Sequence, residues 1–190
     1  RLLRFIGLGY DRAEALFHRG QEYGFCMHIY TRDTVFVYRY DDEDRAYVTG
    51  RMDVVELPED YDFTVLRDEP ISKILYARAN MDFLHGVREE VRDLTEGLDV
   101  SFSSGRYLEF NAGGVNKGEG LLWLADHLGI AREETMALGD SLNDVTMLRA
   151  AGIGVGVANA SPEIYDACDV MTEHTCEEDG VAEAIERFVL

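Results

Sequence analysis

The residues of this chain whose types and spacing suit chemistry lie at Gly139-Asp140-Ser141-Leu142-Asn143-Asp144, where two carboxylates and an amide fall within one short turn. Met136-Ala137-Leu138 before it is an apolar run, while Val145, Leu148 and Ala151 after it recur at helical spacing until Gly152. The pattern predicts a strand that enters a turn and opens a helix, with Asp140 at the strand end and Asn143 and Asp144 in the first helical turn. The carboxyl end of a parallel strand is where open α/β sheets gather ligands, and the first N–H groups of the helix favour anions there. Carboxylate oxygens suit a hard cation such as Mg²⁺, which keeps several waters and takes one or two protein carboxylates together with substrate phosphate. Taken alone, the same residues fit an N-cap followed by a first-turn charge that complements the helix dipole equally well.

A second chemical group is Lys117, set among glycines in Gly113-Gly114-Val115-Asn116-Lys117-Gly118. Leu121, Leu124, Ala125 and Leu128 follow as the apolar positions of an amphipathic helix that Gly129-Ile130 closes. Lysine turn, helix, strand, acidic turn and helix form the order of a crossover unit in a parallel sheet. That order would bring an ammonium to a phosphate held at the acidic turn, whereas a lone lysine at a helix start is otherwise a solvated side chain. Downstream, residues 152–160 read as a glycine-laced strand and loop, Ser161-Pro162-Glu163 as a capped helix start, 167–172 as a short strand, and Asp179-Gly180 as the opening of a last helix with Ile185 and Phe188 inward. The glycines do not spell G-x-G-x-x-G and lie inside the strand, so close packing accounts for Gly154 and Gly156 better than a dinucleotide does.

With these parts in order, the segment from Tyr107 to Leu190 resembles the carboxyl-terminal half of the core domain in the haloacid dehalogenase (HAD) superfamily, specifically its Cof-like phosphatases. The resemblance rests on Tyr107-Leu108-Glu109-Phe110, Gly114-Val115-Asn116-Lys117-Gly118, Gly139-Asp140-Ser141-Leu142-Asn143-Asp144-Val145-Thr146-Met147-Leu148, Gly156-Val157-Ala158-Asn159-Ala160 and Glu178-Asp179-Gly180-Val181-Ala182. It implies Mg²⁺-dependent hydrolysis of small phosphate monoesters, such as sugar phosphates, through an aspartyl-phosphate. Residue by residue, it implies that Lys117 neutralises the nucleophile and the transferring phosphoryl oxygens, that Asp140 and Asp144 serve the metal, that Asn143 contacts phosphate or metal-bound water, and that Asn159 supports the site. Phosphoryl transfer of this kind asks mainly for positioning and balancing charge.

The family nucleophile belongs to an Asp-x-Asp-Gly-Thr motif, and no such motif occurs in the 190 residues. Asp41-Asp42-Glu43-Asp44 is the dense acidic run near the amino end, and between strand-like segments it reads as a solvated hairpin turn. The expectation is a protein truncated at its amino end by about 60–90 residues, half a domain of ordinary size. This chain would then be an α/β protein in two parts. Residues 1–106 form an α+β cap that sets substrate choice, and 107–190 form the carboxyl-terminal half of a HAD-type, Rossmann-like core. In the first part, Asp11 and Glu14 resemble a capping box for a helix that ends at Gly20 and Gly24. Residues 26–30, 34–40, 71–77, 99–104 and 106–110 read as strands, and 81–96 as a second helix. Helices on one side of a largely antiparallel sheet would result. The dense aromatics Tyr30, Phe36, Tyr38, Tyr40 and Tyr47 are core material for such a sheet.

A net charge of −19 excludes nucleic acid and anionic membrane as natural partners and makes Lys117 with a divalent cation the local compensation for an incoming phosphate. No apolar run approaches membrane length, and 46% hydrophobic residues are enough for a core, so a cytoplasmic enzyme is expected. Cys26, Cys168 and Cys176 show no Cys-x-x-Cys spacing, and His18, His28, His85, His127 and His174 have no partner at metal-ligand spacing, so neither a disulfide framework nor a zinc ribbon is expected. The alternative function is a phosphate- or metal-binding regulatory protein without a nucleophile; a nucleotide-binding oxidoreductase is a distant third.

Overall fold

The computed structural model describes residues 2–190, which divide into two compact units, the first running to Gly114 and the second from Val115 to Leu190. The first unit opens with α1 (Tyr10–Tyr23), whose buried residues Ala13, Leu16, Phe17 and Gly20 follow the spacing of one helical face. Gly9 occupies its N-cap, so Asp11 and Glu14 form no capping box; Glu14 instead accepts the Tyr10 hydroxyl. Gly20 lies inside the helix, where a Cβ would sit 2.1 Å from Met27 Sδ, and the helix ends one turn later at Gly24 in the left-handed conformation.

Strands β1 (Cys26–Thr31) and β2 (Val35–Tyr38) form a hairpin about Arg32-Asp33. The acidic run that follows is not a solvated turn but α2 (Asp42–Val48): Asp41 caps it by accepting the Asp44 N–H at 2.8 Å, and Asp44 turns inward and is buried. Then come β3 (Val55–Leu57), β4 (Ile71–Ala77), α3 (Met81–Glu90), α4 (Arg92–Thr95), β5 (Asp99–Ser103) and β6 (Tyr107–Asn111). The expected single helix over 81–96 breaks at Val91, whose backbone leaves helical geometry while its side chain stays in the core. The strands order as β3-β2-β1-β4-β6-β5, antiparallel except for the β2–β3 pair. Strand β6 therefore belongs to this first sheet, and the division falls at Gly114 rather than at 106, because Tyr107–Asn111 pairs with both β4 and β5.

The main core lies on one face of this sheet, where Phe17 and Leu16 of α1 and Leu84 and Val87 of α3 meet Met27, Ile29, Ile74, Tyr76 and Phe110. Each such side chain, fully buried, contributes about 1.5–3 kcal/mol. Strand alternation sends Cys26, Val37, Leu75 and Tyr107 to the opposite face, in a second cluster with Tyr30, Tyr40 and Tyr47 against it.

The second unit holds α5 (Lys117–Leu128), β7 (Met136–Gly139), α6 (Val145–Ala150), β8 (Ile153–Gly156), β9 (Val170–Met171) and α7 (Gly180–Phe188). Its parallel sheet runs β7-β8-β9 and packs on Leu148, Val157, Ala160, Ile164 and Ala167. The β8 glycines serve close packing: a Cβ on Gly154 would sit 2.5 Å from the Leu148 carbonyl oxygen, and one on Gly156 2.5 Å from Met171 Sδ. Two apolar faces are exposed instead of inward: Leu124 and Leu128 on α5 are 45% and 60% accessible, and Ile185 and Phe188 on α7 are exposed while Ala184 carries the packing. Among the described residues no helix is long and apolar enough to cross a membrane.

Candidate functional site

The acidic turn joins β7 to α6 within the second unit. Its geometry depends on Asp144 folding back over the strand end. A short 3-10 turn over Leu142–Asp144 places the Asp144 carboxylate so that Oδ2 accepts the backbone N–H groups of Asp140 at 3.0 Å and Ser141 at 3.3 Å. Gly139 is what permits this, since a Cβ there would lie 2.5 Å from the Asp144 Cβ. Asp144 Oδ1 accepts from Lys117 Nζ at 2.5 Å. The side chains of this ion pair are unequally exposed, Lys117 47% and Asp144 6%, so the ammonium presents an open side to solvent while its partner is enclosed. Burial opposes ionisation of Asp144 and is the largest single influence on it. The Lys117 ammonium and the two backbone donors outweigh that opposition and hold the carboxyl below its ordinary value.

Lys117 reaches the turn because α5 begins against α6. Asn116 caps α5, accepting the Glu119 N–H at 3.0 Å. The next residue but one, Gly118, donates its N–H to Thr146 Oγ1 at 3.2 Å and leaves no space for a side chain, a Cβ there lying 2.4 Å from the Thr146 carbonyl oxygen. A glycine immediately after the lysine is thus what lets the two helix starts meet. Asp140 is exposed, and its carboxylate has no hydrogen-bond or ion-pair partner among the described residues; its carbonyl oxygen accepts the Ser161 N–H at 2.8 Å, which fixes the turn to the loop after β8. Asn143 Oδ1 accepts from Ser141 Oγ at 2.8 Å, so its amide nitrogen is the end left for another acceptor. Asn159 is committed elsewhere: its Oδ1 accepts the Cys176 N–H at 3.0 Å and its Nδ2 donates to Cys176 Sγ at 3.3 Å.

Lys117, Asp140, Asn143 and Asp144 thus converge on one turn. Ser141, Thr146 and Gly139 were missed as supporting residues, although the position of Gly139 between the apolar run and Asp140 is a local signal for them. An exposed carboxylate without a partner, beside a buried carboxylate and an ammonium, is an all-oxygen site with adjacent positive charge, which fits Mg²⁺ and a phosphate.

A family model for haloacid dehalogenase-like hydrolases matches residues 7–185. The chain belongs to this family. The 5-amino-6-(5-phospho-D-ribitylamino)uracil phosphatase YcsE of Bacillus subtilis is 42% identical over 109 residues, covering 57% of this chain and 43% of that protein. A haloacid dehalogenase-like hydrolase structure from B. subtilis matches with a TM-score of 0.84 at 24% identity, covering 100% of this chain and 74% of the other. A HAD subclass IIB sugar phosphatase matches with a TM-score of 0.83 at 20% identity, covering 96% and 67%. The two structural likenesses establish the fold, a mixed α/β architecture with a parallel sheet, as that of HAD-like hydrolases. The chain spans less than half the length of the YcsE relative.

Proposed function

We propose that this HAD-like chain supplies the cap and the phosphate- and cation-binding half of a phosphatase that hydrolyses small phosphate monoesters, sugar phosphates or related metabolites, with Mg²⁺. The reading is carried by the 2.5 Å contact of Lys117 with Asp144 beside the unpartnered Asp140 carboxylate. Asp140 would hold Mg²⁺ directly and Asp144 through a bound water, and the ion would supply positive charge to the phosphoryl oxygens. The Lys117 ammonium, kept in place by Asp144 and by the packing of Gly118 on Thr146, neutralises charge on the transferring group. The Asn143 amide nitrogen donates to a phosphoryl oxygen. Because Asp144 is buried and held ionised, Lys117 keeps its counter-charge before and after the phosphate enters, and the site needs little reorganisation during transfer.

The attacking aspartate, which would carry the phosphoryl group as an aspartyl-phosphate, is assigned to a segment outside these 190 residues. Supporting this, β7 has a free edge among the described residues, and Leu124 and Leu128 are uncovered, places where further polypeptide would pair and pack. The first unit is read as the cap that confers substrate choice. The names of the relatives attach a ribitylaminouracil phosphate to one and sugars to another, and the class common to them is a small organic phosphate monoester.

The test is a phosphatase assay, with Mg²⁺, on a protein that includes the preceding coding segment. Asp140→Ala is expected to lower turnover by about 10²-fold or more, as losses of one charge-stabilising group commonly do; unchanged turnover would remove the metal assignment. The 190-residue chain is expected to show none. The missing Asp-x-Asp-Gly-Thr motif favours a second reading, a binding or regulatory protein without turnover, and a natural chain that lacks the motif throughout would establish it in place of the first.

A further inference from the structure

The face of the first sheet opposite its main core carries a cluster that phosphate chemistry does not use. Strand β1 presents Cys26 and His28 to this face, two residues apart on an alternating strand, and α2 presents Asp44. Asp44 Oδ2 stands 2.5 Å from His28 Nε2 and 3.6 Å from Cys26 Sγ, and the ligand atoms of the three buried residues all lie within 4.8 Å of one another. The other carboxylate oxygen faces away from them: Oδ1 accepts the Tyr107 hydroxyl at 2.8 Å, and Arg106 Nε stands 3.8 Å from it. In register, Ala77 lies opposite Cys26 on one side and Tyr107 on the other. Buried polar groups in native proteins are nearly always satisfied. Here two buried nitrogens, His28 Nδ1 and Arg106 Nε, have no hydrogen-bond partner. The observation that points to a cation is the convergence of a thiol, an imidazole and a carboxylate on one buried spot.

We propose that Cys26, His28 and Asp44 bind one Zn²⁺ ion, which ties α2 to the sheet. Zinc takes sulfur at about 2.3 Å and imidazole nitrogen or carboxylate oxygen at about 2.0–2.2 Å in a tetrahedron, so side-chain shifts on the order of 1 Å would close the three atoms on it. On binding, the Cys26 S–H bond breaks, its proton leaves to solvent and a Zn–S bond forms. His28 gives up the Nε2 proton that it shares with Asp44 and binds through that nitrogen, its one ring proton then on Nδ1, and water fills the fourth position. Tyr107 orients the ligating carboxylate from behind, as outer partners of metal ligands do. Sulfur and nitrogen donors select against Mg²⁺, so this site is chemically separate from the acidic turn.

Co²⁺ titration of the 190-residue chain tests the assignment without any phosphate ester, so its failure leaves the phosphatase reading untouched. A thiolate-to-cobalt charge-transfer band that saturates at one equivalent, is displaced by Zn²⁺ and survives in the Cys168→Ser/Cys176→Ser variant is expected. Cys26→Ser should abolish it, and so should His28→Ala. Co²⁺ at Asp140 and Asp144 gives no such band, since that turn has no sulfur. No band in the parent chain, or an undiminished band in Cys26→Ser, overturns the proposal. Should Cys26→Ser fail to fold, X-ray absorption at the zinc edge of the parent chain decides: one sulfur and two or three nitrogen or oxygen neighbours support the site, and oxygen neighbours alone refute it.

Discussion

Replacing Asp144 with Asn removes one charge from the acidic turn while keeping its shape, and the cost can be worked from the contacts. Oδ2 accepts two backbone N–H groups, at 3.0 and 3.3 Å, and an amide can keep these through its carbonyl only by turning its NH₂ toward the Lys117 ammonium. Hydrogen bonds to a charged acceptor contribute about 1.5–3 kcal/mol against about 1 for neutral ones. The Lys117 pair, half open to water, adds no more than about 1 kcal/mol. The expected loss in the second unit is about 2 kcal/mol near neutral pH, a drop of roughly 1–2 M in the urea midpoint for a unit of this size. Trp123, the single tryptophan, lies in α5 and stacks on His127 at 5.3 Å between ring centroids, so its fluorescence reports this unit alone.

The pH dependence is the sharper part. The folded-state value of Asp144 lies below its unfolded value, so its stabilisation is fully present above the unfolded value, near 3.9, and fades as pH falls through the folded one. Parent and Asp144→Asn midpoints should therefore converge as the medium is acidified. A gap that stays constant with pH, or one under about 0.5 kcal/mol at pH 7, would refute the view that a buried, ionised carboxylate holds this turn.

Other outcomes follow from the same contacts. Gly118→Ala drives a Cβ to within 2.4 Å of the Thr146 carbonyl oxygen and should cost about 1–3 kcal/mol by overpacking, with the same tryptophan-detected midpoint as readout. Glu183 accepts the backbone N–H groups of Glu173 and His174 and pairs with Arg187; hydrogen bonding to the Glu173 amide is the largest influence, and its value falls to about 2. Glu183→Gln should thus make the segment 173–179 easier to cleave with protease at neutral pH, a difference that shrinks as pH falls below the unfolded glutamate value near 4.3 toward about 2.

The acidic turn was legible because its determinants are local: an apolar run, Gly139, and a carboxylate four residues on. The placement of Lys117 was legible too, since the order of elements puts a helix start beside a strand end. The run at 41–44 was misread because burial of Asp44 is decided by His28, sixteen residues earlier, and Tyr107, sixty-three later. No window along the chain contains all three. For the same reason the approach of His28 to Cys26 and Asp44 leaves no signature in the sequence, since it needs the alternation of a strand and a helix sixteen residues on. The exposure of Leu124 and Leu128 shows the opposite limit: helical periodicity reveals an apolar face but not whether anything covers it. Strand β6 was given to the wrong unit because its motif lies next to the lysine turn in sequence while its hydrogen bonds belong to β4 and β5.

The free edge of β7 also has a consequence for handling the isolated chain. Met136-Ala137-Leu138-Gly139 offers a row of backbone donors and acceptors with no charge, proline or bulge along it, the devices by which proteins keep exposed strands from pairing with their neighbours. An edge of this kind is where pairing between copies is expected to start, so light scattering of the 190-residue chain should rise with concentration.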